Sequence, residues 1–247
     1  MSDANDRLAE WFVPSFGPLK FRIFVGLLFL PYTGMVLAYT VIGATLAEVV
    51  DARRIIALVV VYFLALGIAG HALDALGSGG IKPWGAHFSP AQLWGWVILS
   101  LIPAGAIGVY FALQNAPLLW PLGLLEFFFL FAYNLEWFKG RFHTDNWFMF
   151  AWGALPVLAG YAMQTNRLSL AALLAALAAA LFSRVEITAS RAYKRLRRAP
   201  EQDPGGQESA GQTTAAIYER ILRSISLGVI LLALGMLAWR LHFPSWP

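Results

Sequence analysis

From Ile23 to Ala47 the chain reads IFVGLLFLPYTGMVLAYTVIGATLA, twenty-five residues without a charged side chain. A stretch of about twenty apolar residues matches the hydrocarbon thickness of a bilayer. A spanning backbone must satisfy its own hydrogen bonds, so such a segment is helical. Comparable runs recur along the chain and predict an all-α integral membrane protein. Seven spanning helices are expected, at roughly 23–48, 55–73, 92–113, 118–138, 147–163, 168–184 and 224–241. Pro103 in the third and Pro156 in the fifth read as kinks rather than ends, because neighbouring helices re-satisfy the broken ladder in lipid.

Composition agrees. Of 247 residues 59% are hydrophobic and 13% charged, where an ordinary soluble domain has about 25% charged. The absence of cysteine excludes disulfides, thiolate metal sites and cysteine nucleophiles. The opening MSDANDRLAEWFVPSFGPLKFR lacks a short apolar core with a small-residue cleavage site, so no removed signal peptide is expected. Three parts are expected: a helical bundle over 1–198, a disordered Pro/Gly/Gln/Ser-rich linker APEQDPGGQESAGQTT over 199–214, and a last spanning helix within 215–247.

The cations sort by side. Fourteen of the eighteen Lys and Arg residues fall on one side, among them Arg7, Lys20, Arg22, Lys82, Lys139, Arg141 and the run from Arg184 to Arg223. Arg53, Arg54, Arg167 and Arg240 fall on the other. The positive-inside rule then places the protein in the cell membrane with its N-terminus cytoplasmic and its C-terminus outside. This pattern accounts for the basic balance without a nucleic-acid partner. Three polar segments, 70–87, 134–146 and 184–198, share the cytoplasmic side.

The first is GHALDALGSGGIKP, Gly70 to Pro83. His71 and Asp74 are three apart and share a helix face. They suit either a hydrogen-bonded pair or ligands for a divalent metal; the alternative is a plain polar helix end. The second, YNLEWFKGRFHTDNW, gathers Tyr133, Asn134, Glu136, Lys139, Arg141, His143, Asp145 and Asn146. Lys139 and Arg141 are suited to grip phosphate or carboxylate. Glu136, His143 and Asp145 are suited to acid–base or metal chemistry. These two segments are expected to converge on one cavity. Glu126, ten residues before Glu136, lies about 15 Å deeper at helical rise; it reads as an interior functional carboxyl or as an acid bonded to a neighbouring helix. In LFSRVEITASRAYKRLRR, Glu186 marks where the sixth helix leaves the membrane. The cations after it are expected along anionic headgroups.

Polar motifs at the ends of the second and sixth helices resemble those of the UbiA superfamily of intramembrane prenyltransferases. In that family the loop after helix two carries Asn-Asp-x-x-Asp-x-x-x-Asp, then a basic residue with proline. Here GHALDALGSGGIKPWGAHFSPAQLWGW keeps the rhythm, with Lys82-Pro83 and then FSPAQL. Gly70 stands for the asparagine, His71 for the first aspartate and Ser78 for the last, while Asp74 keeps the middle one. The second Asp-x-x-x-Asp falls on Glu186 and Ser190, and the basic loop on EWFKGRF. The resemblance implies a UbiA-like bundle and a prenyl diphosphate or other membrane lipid as ligand. It also implies a divalent metal such as Mg2+, held here by Asp74 and Glu186 where the family has several carboxylates.

Three functions are compatible with these residues. In the first, the protein binds or transforms an isoprenoid or other long-chain lipid by prenyl-transfer or cyclase-type chemistry. Lys82, Lys139 and Arg141 hold an anionic head, with Tyr133 and Asn134 beside it, and His71, Asp74, Glu136, His143 and Asp145 form the reaction centre. Phe127, Phe128, Phe129, Phe131, Tyr133 and Trp137 line the tail. The second is a metal-dependent hydrolase or oxidase using the same acids and histidines. The third is a lipid-binding or assembly subunit without catalysis, favoured by the thinned carboxylates. Asp74 is expected to be the most sensitive carboxylate.

Overall fold

The first apolar run does not form one straight helix. In the computed structural model, which describes residues 10–77, 87–198 and 207–242, it divides into α1 (Leu19–Leu27) and α2 (Leu30–Thr45), bent by 42°. Phe29 makes the break by adopting a left-handed backbone, φ 47°. Such a conformation costs a bulky residue about 1–3 kcal/mol. Its ring contacts offset that cost, with Phe12, Tyr32 and His71 centred 4.5, 4.8 and 5.8 Å away. Pro31 follows in the first turn of α2, where its missing N–H has no intrahelical partner to lose.

Asp51 caps α3 (Ala52–Gly77) by accepting from the Arg53 backbone N–H at 2.8 Å. This helix widens into π geometry over Phe63–Gly70 before tightening again over His71–Gly77. A capping box of Ser89 and Gln92 starts α4 (Pro90–Gln114), which continues through Pro103. Next come α5 (Leu119–Asn134) and α6, built from Asp145–Phe148, a π segment Met149–Ala154 and Leu155–Thr165. Pro156 is accommodated in the turn after that π segment. The last two helices are α7 (Leu170–Arg198) and α8 (Gln207–His242).

All of these are helices, and no strand occurs among the described residues. Four helices are long and apolar enough to cross a membrane, or five with α1 and α2 as one bent span, against the seven expected. At sixteen residues α5 is shorter, and α6 is broken by its π turn. The outer faces carry exposed Leu99, Ile102, Leu174, Leu177, Leu231 and Leu234. Large apolar side chains turned outward along long helices are the surface of a multi-pass membrane protein.

Two boundaries differ from the sequence reading for the same reason. The sixth predicted helix, 168–184, extends to Arg198, and the last starts at Gln207 rather than near 224. Ala189 and Tyr193 of α7 bury themselves against Ala215 and Leu222 of α8, so both helices continue past their apolar runs as a packed hairpin. The linker expected over 199–214 is therefore helical from Gln207, where Gln, Glu and Ala succeed Pro204–Gly205–Gly206; residues 199–206 lie outside the described set.

α2 is central and packs on α6 and α8. A Cβ on Gly43 would overlap the Val157 carbonyl, and one on Gly160 the Thr40 carbonyl. Two facing glycines thus bring the α2 and α6 backbones together, the close approach by which helices associate where lipid supplies no hydrophobic drive.

One end of the bundle is stapled by side chains bound to backbone. Buried Arg240 donates to the carbonyls of Thr45, Ala47 and Glu48. Arg54 donates to Met163 and Gln164 carbonyls at 2.6 and 3.3 Å and to Asn115 Oδ1 at 2.7 Å. Gln164 bonds Asp51 through both N–H and carbonyl, and Asn166 accepts from Leu118 N–H.

Candidate functional site

At the other end, α2, α3, the α5–α6 connection and α7 enclose a cavity of about 300 Å3. Its position follows from Gly77. A Cβ there would overlap the Asn134 carbonyl, so only glycine lets the end of α3 settle against the end of α5. That contact sets His71 and Asp74 beside Tyr133 and Asn134 on the cavity wall.

Thr33, His71, His143 and Asn134 are each oriented by a defined partner. The Thr33 hydroxyl gives its proton to the Leu28 carbonyl, 2.7 Å away, so towards His71 Nε2 at 3.4 Å it can only accept. His71 Nε2 therefore carries a proton, and its ring stacks on Phe29. His143 Nδ1 donates to the Tyr133 carbonyl at 3.0 Å, which leaves Nε2 as the basic nitrogen. Its ring stacks on Tyr133 with centroids 4.4 Å apart, and Trp152 and Phe148 extend the aromatic wall. The Asn134 amide is tied to the Leu130 carbonyl at 2.7 Å.

α7 supplies the opposite wall, with Ser183, Glu186, Ile187, Ser190, Arg191 and Lys194 on its cavity face. Glu186 is 3% exposed, and its Oε1 has no hydrogen-bond partner among the described residues. Arg191 pairs with Asp145 at 2.6 Å, closing the base of α6 onto α7. Lys194 Nζ lies 5.0 Å from the centre of the Phe29 ring.

His71, Asp74, Tyr133, Asn134, His143 and Glu186 are thus brought together as cavity lining. Glu136, Lys139 and Arg141 are not: all three are exposed, on a segment with left-handed backbone at Glu136, Phe138 and Lys139. Asp145 meets Arg191 instead of the cavity. Lys82 lies outside the described residues. The expected aromatic wall also divides. Tyr133 lines the cavity, while Phe127 and Trp137 are exposed and Phe129 packs with Phe142, Trp147 and Phe150. Glu126 accepts from Tyr62 at 2.8 Å, an acid bonded to the neighbouring helix.

Sequence reasoning missed Phe29, Tyr32 and Thr33, because α2 offers no charge to mark its cavity face. It also assigned Arg191 and Lys194 to lipid headgroups. Their spacing from Ser183, Glu186 and Ser190 follows one helix face, and that periodicity was the available signal.

Residues 85–201 match the family model of the UbiA prenyltransferase family. Over this stretch the chain is similar to the UbiA family. No curated protein and no solved structure gives a significant match. The matched region runs from before α4 to the end of α7, so it contains the UbiA-side wall of Tyr133, His143 and Glu186. Asp74, His71 and the α2 wall fall outside it. UbiA enzymes generally use Mg2+ through Asp-rich motifs. The residues here do not fit such a site. Among the described residues no group of three or more His, Cys, Asp or Glu is placed to hold a metal ion. The cavity offers two carboxyl groups, Asp74 and Glu186, and residues 78–86 contain no acid or histidine to add.

Proposed function

We propose that the protein binds an isoprenoid or other long-chain lipid at the cytoplasmic face of the membrane and transforms it by prenyl-transfer or cyclase-type chemistry. The observation that carries this reading is the convergence of three polar segments on one ring-lined cavity inside an apolar bundle. The cytoplasmic assignment rests on the excess of Lys and Arg at the cavity end, which puts the N-terminus inside and the C-terminus outside.

The roles follow from the geometry. His143 Nε2 is positioned to accept a proton, since its other nitrogen is committed to Tyr133. His71 presents a ring fixed by Thr33 and Phe29, and Asp74 supplies a carboxyl group one turn along. Tyr133, Phe148 and Trp152 offer π faces to positive charge developing in an isoprenoid chain. The shortage of carboxylates favours, as a second reading, a subunit that holds lipid without turning it over.

The test is native mass spectrometry of the purified protein with geranylgeraniol and with geranylgeranyl diphosphate, beside an assay for released diphosphate. Retention of either lipid is the expected result. Release of diphosphate selects the enzyme, and retention without release selects the binding subunit. Retention of neither lipid overturns the proposal.

A further inference from the structure

We infer that the lipid head held in this cavity is uncharged, an alcohol, phenol or quinone oxygen on a long chain, and that it binds without magnesium. This rests on the lipid reading of the same cavity in its binding form, since a lipid with an uncharged head brings no diphosphate to leave in prenyl transfer. The first argument is charge. The described wall carries two carboxyl groups, Asp74 and Glu186, against two permanent cations, Arg191 and Lys194. Asp145 already engages Arg191 at 2.6 Å. A diphosphate brings several negative charges into this nearly balanced wall, and with no metal cluster to bridge them they face two acids at short range.

The second argument is the unmet bond of Glu186. A carboxyl oxygen buried without a partner costs free energy that a ligand hydroxyl would recover. A carboxyl group can accept from a hydroxyl or, when protonated, donate to a carbonyl, so it suits both kinds of neutral head. Ser183 and Ser190, each about one turn from Glu186 on the same face, add further hydroxyls.

The third argument is shape. Two stacked pairs, Tyr133 with His143 and Phe148 with Trp152, stand with Phe29 and His71 around the cavity. Their flat faces complement a ring or a conjugated chain. Nothing in such a wall favours a solvated diphosphate.

The experiment measures affinity of the full-length protein in detergent for geranylgeraniol and for geranylgeranyl diphosphate, each with magnesium and with a chelator. The alcohol is expected to bind at least as tightly as the diphosphate and equally in both buffers. Glu186→Leu should weaken the alcohol by roughly tenfold, the size of one lost hydrogen bond to a carboxyl group. Glu186→Gln, which keeps an oxygen and gains an amide donor, should lose less. A metal ligand would lose as much in either variant. Thermal unfolding of both variants verifies the fold, and Ser190→Ala provides a second, milder probe of the same face. If the diphosphate binds more tightly, or if the chelator abolishes binding, the inference fails while the lipid reading stands. If neither lipid binds, the lipid reading itself fails.

Discussion

The two ends of the bundle contain similar polar side chains and use them in opposite ways. At the stapled end, Arg54, Arg240, Gln164 and Asn166 spend their hydrogen bonds on the backbone ends of α2, α3, α5 and α6. At the cavity end, Glu186 keeps an oxygen unmet, His143 keeps a basic nitrogen, and Asp74 and His71 line a hollow. Helix termini always present orphan donors and acceptors. Where side chains absorb them the end is structural, and where side chains turn aside from them a site is left. Residue type alone does not distinguish the two; partners do.

The comparison breaks first on Arg240. Replacing it with Met leaves three buried carbonyls short of a donor, so stability should fall by about 3 kcal/mol or more. Thermal unfolding in detergent measures this, and an unchanged midpoint would mean that the stapled end holds nothing together. Asp74→Asn tests the other end. Ligand affinity should drop roughly 10- to 150-fold, the range for a hydrogen bond to a charged group, with little change in unfolding. A large loss of stability with unchanged binding would make Asp74 a staple as well.

Asp51 sharpens the contrast with a smaller effect. The Arg53 guanidinium, reinforced by the Arg53 backbone N–H, holds the Asp51 carboxyl below the usual carboxylate range. A depressed folded-state value means that this contribution is complete above the unfolded carboxylate pKa and vanishes as pH falls through the lower folded value. Asp51→Ala should cost about 0.5–2 kcal/mol at neutral pH, and Asp51→Asn, which still caps, only the smaller part carried by the charge. Acid titration of wild type beside Asp51→Asn isolates the charge, and curves that coincide throughout would reduce Asp51 to a neutral cap. The smallest effect is expected between α7 and α8. Doubling residues 199–206, which contain no large apolar side chain, should cost about 0.6 kcal/mol by loop closure. A loss of several kcal/mol would reveal packing there.

Much of this was legible in the chain. Apolar runs announced the helices because a bilayer imposes one length and one hydrogen-bonding solution. Asp74, His71, Tyr133, Asn134, His143 and Glu186 stood out as polar residues beside those runs, and all six line the cavity. The rest depended on contacts between distant segments. Lys139 and Arg141 look like ligand-binding cations in sequence, yet the left-handed turns around them hold both at the surface. Arg240 counted as a topological charge, because nothing near it in sequence reveals that it reaches Thr45. Phe29 gave no signal at all, since a left-handed aromatic is stabilised by rings brought from elsewhere.

The hairpin of α7 and α8 has a calorimetric consequence. At helical rise its members, of 29 and 36 residues, measure about 43 and 54 Å, well beyond a hydrocarbon core of about 30 Å. The cluster of Ala189, Tyr193, Ala215 and Leu222, flanked in sequence by charged residues, is therefore expected beyond the lipid. Contacts inside the bilayer exchange one apolar surrounding for another, whereas this cluster excludes water. Heat capacity on unfolding follows apolar surface newly exposed to water. Enlarging the apolar side chains of this hairpin should therefore change the curvature of stability with temperature more than equal changes made among the spans.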